Sequence, residues 1–165
     1  MSKIFNKIYI ANDHGGYAAK LFIVNYLEEK GYAVENLGSD SDEIVRYPHY
    51  AAKVVSEVLR NENAGGILIC STGIGMSIIA NKYKGIRASL CTDSYMAKMT
   101  RKHNNSNVLC LGGKITGEFE MYDITDNWLN NEYDGGRHDI SLGLIKTVED
   151  ELFAKGDRNR SIIGN

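Results

Sequence analysis

The chain has 165 residues, 43% of them hydrophobic, which is enough for one packed domain and too few for two ordinary ones. A formal charge of −2 with scattered basic residues excludes a nucleic-acid surface and a polybasic membrane patch. No apolar run approaches a membrane span, and Met1-Ser2-Lys3-Ile4-Phe5 lacks the apolar core of a signal peptide. The three cysteines, Cys70, Cys91 and Cys110, are sparse and odd in number, which predicts reduced thiols in a cytoplasmic protein.

Short β-rich runs alternate with helical patterns, an order that predicts a parallel-sheet α/β fold. Lys7–Ala11 reads as the first strand. Tyr17–Lys30 follows as a helix with Leu21, Val24 and Leu27 on one face, ended by Gly31. Tyr32–Leu37 is the second strand. Pro48–Arg60 is a helix with Ala51, Val54, Val55 and Val58 on its apolar side and Pro48 in its first turn. Gly66–Cys70 is the third strand, and a helical pattern runs on through Ser77–Asn81. Ile86–Cys91 is the fourth strand, followed by a helix over about Ser94–Lys102, and Asn107–Leu111 is the fifth. A helix over Gly117–Asn130 carries Met121, Ile124 and Trp128 on one face. The last helix repeats Ile140, Leu144, Val148 and Leu152 with Ile145 beside them, a stripe suited to packing on the domain or on a partner subunit. The expected whole is a single three-layer α/β/α, Rossmann-like domain with a five-stranded parallel sheet and a C-terminal helix. It spans residues 1–165, with its core at about 7–152 and a polar tail over 155–165.

In open α/β sheets ligands bind at the carboxyl ends of the strands, so the polar residues there carry the function. Cys70 ends the third strand and is followed by Ser71-Thr72-Gly73-Ile74-Gly75. Alone, a cysteine at that position is an ordinary small hydrophobe. Beside a glycine turn that opens a helix, it becomes a candidate thiolate base. Such a base takes a proton from carbon next to a carbonyl, while the amides of Ser71, Gly73 and Gly75 meet the oxyanion that forms. A phosphatase loop needs arginine six residues after the cysteine, where Met76 stands, and a nucleotide P-loop needs an ending that the segment lacks. No metal-ligand spacing occurs. Asp13-His14 after the first strand is an acid–base pair or a capped turn, and His103-Asn104 is a candidate pair or a helix C-terminal cap. Gly135-Gly136-Arg137-His138 places a guanidinium near a helix start, suited to an anion.

These motifs, together with Tyr47-Pro48-His49-Tyr50, Asn81-Lys82, Gly85-Ile86-Arg87-Ala88 and Asn107-Val108-Leu109, fall in the order of one known family. Over about Ile8 to Leu152 the chain resembles a type B ribose-5-phosphate isomerase. That family also holds allose-6-phosphate isomerase and the galactose-6-phosphate isomerase subunits. The resemblance implies an aldose–ketose isomerase that uses no metal or cofactor and works through a cis-enediolate. By that likeness His103 opens the sugar ring with Asp13, and Cys70 moves the proton between C1 and C2. Thr72 assists transfer between the hydroxyl oxygens. Asn104 and the amides around Gly73 to Gly75 stabilise the enediolate, and His14, Lys114 and Arg137 hold the phosphate. The likeness also implies a homodimer or homotetramer with shared sites. A non-catalytic partner subunit that keeps the fold is the contrasting class, and the intact set Cys70, Thr72, Asp13 and His103 favours the enzyme.

Three positions depart from the family pattern. Lys114 stands where many members have arginine, Ser141 where a second arginine usually helps hold the phosphate, and Arg46 where aspartate precedes Tyr47-Pro48. Loss of one charge-assisted phosphate bond costs about 1.5–3 kcal/mol. The chemistry is therefore better supported than the sugar: ribose 5-phosphate leads, with allose 6-phosphate, galactose 6-phosphate or another sugar as alternatives. Arg46, Arg158 or Arg160 is expected to supply the missing charge.

Overall fold

A computed structural model describes residues 3–155, so the expected polar tail beyond Lys155, with Arg158 and Arg160, lies outside the described residues. Five strands form one sheet: β1 (Lys7–Asn12), β2 (Ala33–Asn36), β3 (Ala64–Cys70), β4 (Ala88–Leu90) and β5 (Val108–Gly112). Their order is β2-β1-β3-β5-β4 and every neighbouring pair is parallel. The helices are α1 (Tyr17–Glu29), α2 (Tyr47–Arg60), α3 (Ile74–Ala80), α4 (Ser94–Asn104), α5 (Glu118–Asn130) and α6 (Arg137–Lys155). A 3-10 turn over His14–Gly16 links β1 to α1.

Strand alternation divides the core in two. Ile8, Ile10, Ile67, Ile69, Leu109 and Leu111 pack with α1, α4 and α5 on one face of the sheet. Tyr9, Ala11, Leu68, Cys70, Val108 and Cys110 pack with α2 and α3 on the other. This is the expected α/β/α sandwich. β3 is buried along its whole length because strands flank it on both sides and helices cover both faces.

Four expectations shift. In α1 the buried residues are Ala19, Lys20, Ile23 and Leu27, whereas Leu21 is exposed, so the apolar face is rotated from the one the sequence suggested. The rotation lets Lys20 reach the loop after β2. β4 is shorter than Ile86–Cys91, since Ile86 N–H donates to the Tyr83 carbonyl (3.0 Å) and a side-chain amide takes the Arg87 N–H. Arg87 N–H donates to Asn107 Oδ1 (2.8 Å), Asn107 Nδ2 donates to the Gly85 carbonyl (2.9 Å), and Ala88 N–H donates to Asn81 Oδ1 (2.9 Å). α4 runs two residues past Lys102, and its cap is Asn105 in the left-handed region (φ 45°) rather than His103 or Asn104. The stripe on α6 does not join the core. Ile140, Leu144, Val148 and Leu152 are 54–70% exposed. No helix among the described residues is long and apolar enough to cross a membrane.

Candidate active site

Cys70 closes β3 facing α2 and α3, buried to 6% exposure. The chain turns sharply at Gly73, in the left-handed region (φ 75°), which swings its N–H back onto the sulfur. Gly73 N–H donates to Cys70 Sγ at 3.1 Å. A side chain at Gly73 would also strike Leu90 Cδ1 at 2.5 Å and the Leu111 carbonyl carbon at 2.9 Å. Thr72, half-buried, accepts from Ile74 N–H through Oγ1 (3.4 Å). Burial pushes the Cys91 thiol up to about 12 and that of Cys110 well upward, so both stay protonated packing groups.

β1 delivers the neighbouring group. Asn12 pairs with Ile69, so Asp13 follows on the edge beside Cys70, with its N–H on the Ile69 carbonyl (3.1 Å). Asp13 Oδ1 accepts from Gly15 N–H (2.9 Å), so the capped turn is real, and the carboxyl is 6% exposed. Gly15 lies against Ser71, where a Cβ would overlap Ser71 Oγ. His14 Nδ1 lies 3.2 Å from the Val45 carbonyl oxygen and 3.4 Å from the Val45 nitrogen. β5 contributes Lys114, exposed, whose N–H donates to the Ser71 carbonyl (3.0 Å). Tyr47, at the start of α2, rests its ring on Gly75. Asp13, His14, Cys70, Ser71, Thr72, Gly73, Gly75 and Lys114 thus share the carboxyl edge of the sheet.

His103, Asn104 and Arg137 do not join them. α4 starts at the carboxyl edge and runs back over its 11 residues, about 16 Å. Its end lies beside the start of β5, at the opposite edge. There the His103 ring stacks on His138 with centroids 4.1 Å apart, and Asp134 N–H donates to the Lys102 carbonyl (2.9 Å). Arg87 Nε donates to the Asn104 carbonyl (3.0 Å). Arg137 opens α6, exposed, after Gly135 and Gly136, both at positive φ. Desolvation, then the charges of His103 and Arg137, holds His138 below its ordinary 6.5. The candidate residues of one chain therefore fall into two groups at opposite edges of its sheet.

Residues 8–145 match the Ribose/Galactose Isomerase family. The chain belongs to that family. The ribose-5-phosphate isomerase B of Escherichia coli K12 is 44% identical over 143 residues, covering 87% of this chain and 96% of that protein. The ribose-5-phosphate isomerase B structure from Clostridium thermocellum superposes with a TM-score of 0.87 at 46% identity, covering 88% of this chain and 99% of that one. The Mycoplasma genitalium ribose-5-phosphate isomerase B, solved with bound ribulose-5-phosphate, gives 0.85 at 37% identity, covering 88% and 97%. As a member of the ribose/galactose isomerase family the chain is an enzyme, an aldose–ketose isomerase of sugar phosphates.

Two features of this isomerase escaped the sequence reading. Lys20, 1% exposed, donates to the Ser39 carbonyl (2.6 Å) and lies 3.7 Å from Asp40, so it ties α1 to the loop that leads to Val45 and His14. Burial holds its amine below the ordinary lysine value, partly offset by Asp40. Its only sequence signal is a lysine on the core side of an amphipathic helix. The second feature is a cleft of about 650 Å³ under α6, lined by Arg87, Leu142, Ile145 and Glu149. It lies at the amino edge of the sheet, away from Cys70, because α6 leans on the body through few contacts. Glu149 accepts from Gly85 N–H (3.2 Å), and Lys84 pairs with Asp150.

Proposed function

We propose that the enzyme interconverts ribose 5-phosphate and ribulose 5-phosphate through a cis-enediolate, with Cys70 as the carbon base. The observation that carries this reading is the contact of Gly73 N–H with Cys70 Sγ beside the buried carboxyl of Asp13. The amide holds the sulfur in place beside the carboxyl, an arrangement suited to proton transfer at carbon and to ring opening. Cys70 removes the C2 proton of the open aldose and returns it to C1. The electron pair moves onto the carbonyl oxygen, giving an enediolate met by amides of the Ser71–Gly75 turn. Thr72 passes the hydroxyl proton between O1 and O2. His14 and Lys114 hold the phosphate on the carboxyl edge.

In this reading His103, Asn104 and Arg137 come from a second subunit. His103 opens the ring with Asp13, Asn104 supports the enediolate, and Arg137 grips the phosphate. The placement of the two half-sites at opposite sheet edges supports a homodimer with shared sites, and the exposed stripe of α6 supplies an apolar surface for it. The ribulose 5-phosphate bound by the Mycoplasma genitalium relative supports the choice of sugar. We take residues 1–165 as one isomerase domain working in the cytoplasm, where Cys70, Cys91 and Cys110 remain free thiols.

Incubation with ribose 5-phosphate in deuterium oxide tests the base. The wild-type protein is expected to place deuterium at C2 or C1, and Cys70→Ala to abolish exchange while keeping its circular dichroism. Exchange retained in Cys70→Ala would remove Cys70 from the mechanism. A panel of pentose and hexose phosphates separates ribose 5-phosphate from allose or galactose 6-phosphate.

A further inference from the structure

Arg46 occupies the N-cap of α2 with extended backbone (φ −100°, ψ 115°), and its side chain makes no capping bond. It cannot make one, because a guanidinium has five donors and no acceptor. Its charge also sits at the positive end of the helix dipole, where a carboxylate is favoured. An arginine there opposes the local preference of a 14-residue helix. Its neighbours on both sides belong to the carboxyl-edge site. Val45 holds the ring of His14, and Tyr47 lies on Gly75 of the cysteine loop. The Arg46 side chain is exposed and has no carboxylate within ion-pair distance among the described residues, although Asp42 and Glu43 precede it. Lys114, on the same edge, is likewise exposed and without an ion-pair partner among the described residues, whereas Arg137 lies at the opposite edge.

We infer that Arg46 is a specificity-determining residue that binds the phosphate of the sugar together with His14 and Lys114 of its own chain. The inference rests on the sugar-phosphate reading above. A dianionic phosphate reverses the unfavourable position of the guanidinium, since the bound anion faces both Arg46 and the uncapped start of α2. Part of the phosphate grip then lies within one chain, and Arg137 of the second subunit completes it. This accounts for a cation at a helix start that a capping residue would stabilise.

Arg46→Asp and Arg46→Gln are compared with the wild type by ribose 5-phosphate kinetics, by competitive inhibition with inorganic phosphate, and by thermal melting. The expected result is a KM and a phosphate inhibition constant raised about ten- to hundred-fold in both variants, with kcat within about three-fold. Arg46→Asp is expected to melt higher than the wild type because aspartate caps α2. A merely structural arginine would instead lower the melting temperature and leave the phosphate constant alone. Wild-type inhibition by phosphate with unchanged constants in both variants would overturn the Arg46 assignment by itself. A wild-type enzyme that neither turns over ribose 5-phosphate nor binds phosphate, by titration calorimetry, would overturn the sugar-phosphate reading and Arg46 with it.

Discussion

Replacing Gly73 by alanine perturbs the turn that aims an amide at the Cys70 sulfur. The residue sits at φ 75°, where a Cβ costs about 1–2 kcal/mol. The same Cβ would lie 2.5 Å from Leu90 Cδ1 and 2.9 Å from the Leu111 carbonyl carbon. Leu90 can rotate, but Leu111 is backbone of the central region of the sheet and cannot yield. Overpacking of this kind adds about 1–3 kcal/mol. The sum, about 2–5 kcal/mol, lowers the melting temperature by about 5–20 °C for a chain of this size. Relief comes most cheaply by moving the loop, which withdraws the Gly73 N–H from Cys70 Sγ. A hydrogen bond to a charged group is worth about 1.5–3 kcal/mol, so kcat should fall about ten- to hundred-fold at saturating substrate. Melting followed by the fluorescence of Trp128, the single tryptophan, reads the first effect. Isomerisation of ribose 5-phosphate reads the second. Gly117→Ala is the control: a Cβ there meets nothing within 4 Å, so only the weaker capping by alanine at the start of α5, at most about 1 kcal/mol, should register. A Gly73→Ala protein that melts with the wild type and keeps its kcat would refute the account of the turn.

Mixing inactive Cys70→Ala and His103→Ala chains should restore about a quarter of wild-type activity, because half of random dimers are mixed and each mixed dimer keeps one intact shared site. No recovery after subunit exchange would place both half-sites' chemistry in one chain. Leu144→Glu, with its parent side chain 64% exposed in a single chain, should dissociate the proposed dimer and lose activity without unfolding the sheet, which sedimentation and circular dichroism report. His138 is held below 6.5 in the folded chain, so the unfolded chain binds more protons in the window just beneath that value. Stability should therefore rise with pH through that window and be lost as acid enters it. His138→Gln should flatten the profile in urea titrations at several pH values.

The carboxyl-edge cluster was legible because its logic is local. A buried apolar run sets β3, the glycines after Cys70 force the turn, and the parallel pairing of β1 with β3 brings Asp13 alongside. Local patterns also explain the misses. Ile86 and Arg87 read as strand, yet Ile86 N–H turns back onto the Tyr83 carbonyl and Arg87 N–H goes to the side chain of Asn107, distant in sequence. Lys20 sits one turn from Ile23 on the core side of α1, and its composition suggests solvent. Only the position of Ser39, after β2, turns it into a buried tether. Asn105 replaces His103 as the cap of α4 because asparagine tolerates the left-handed region, which frees His103 to stack on His138. The widest gap concerns α6. Its period-four stripe predicts a surface to be covered, and within one chain that surface stays exposed. The same holds for the site. His103 and Cys70 read from the sequence as partners, and the strand order sets them at opposite edges. The proposed dimer reconciles the two, by setting the sheet edge of one subunit against the α4 end of the next.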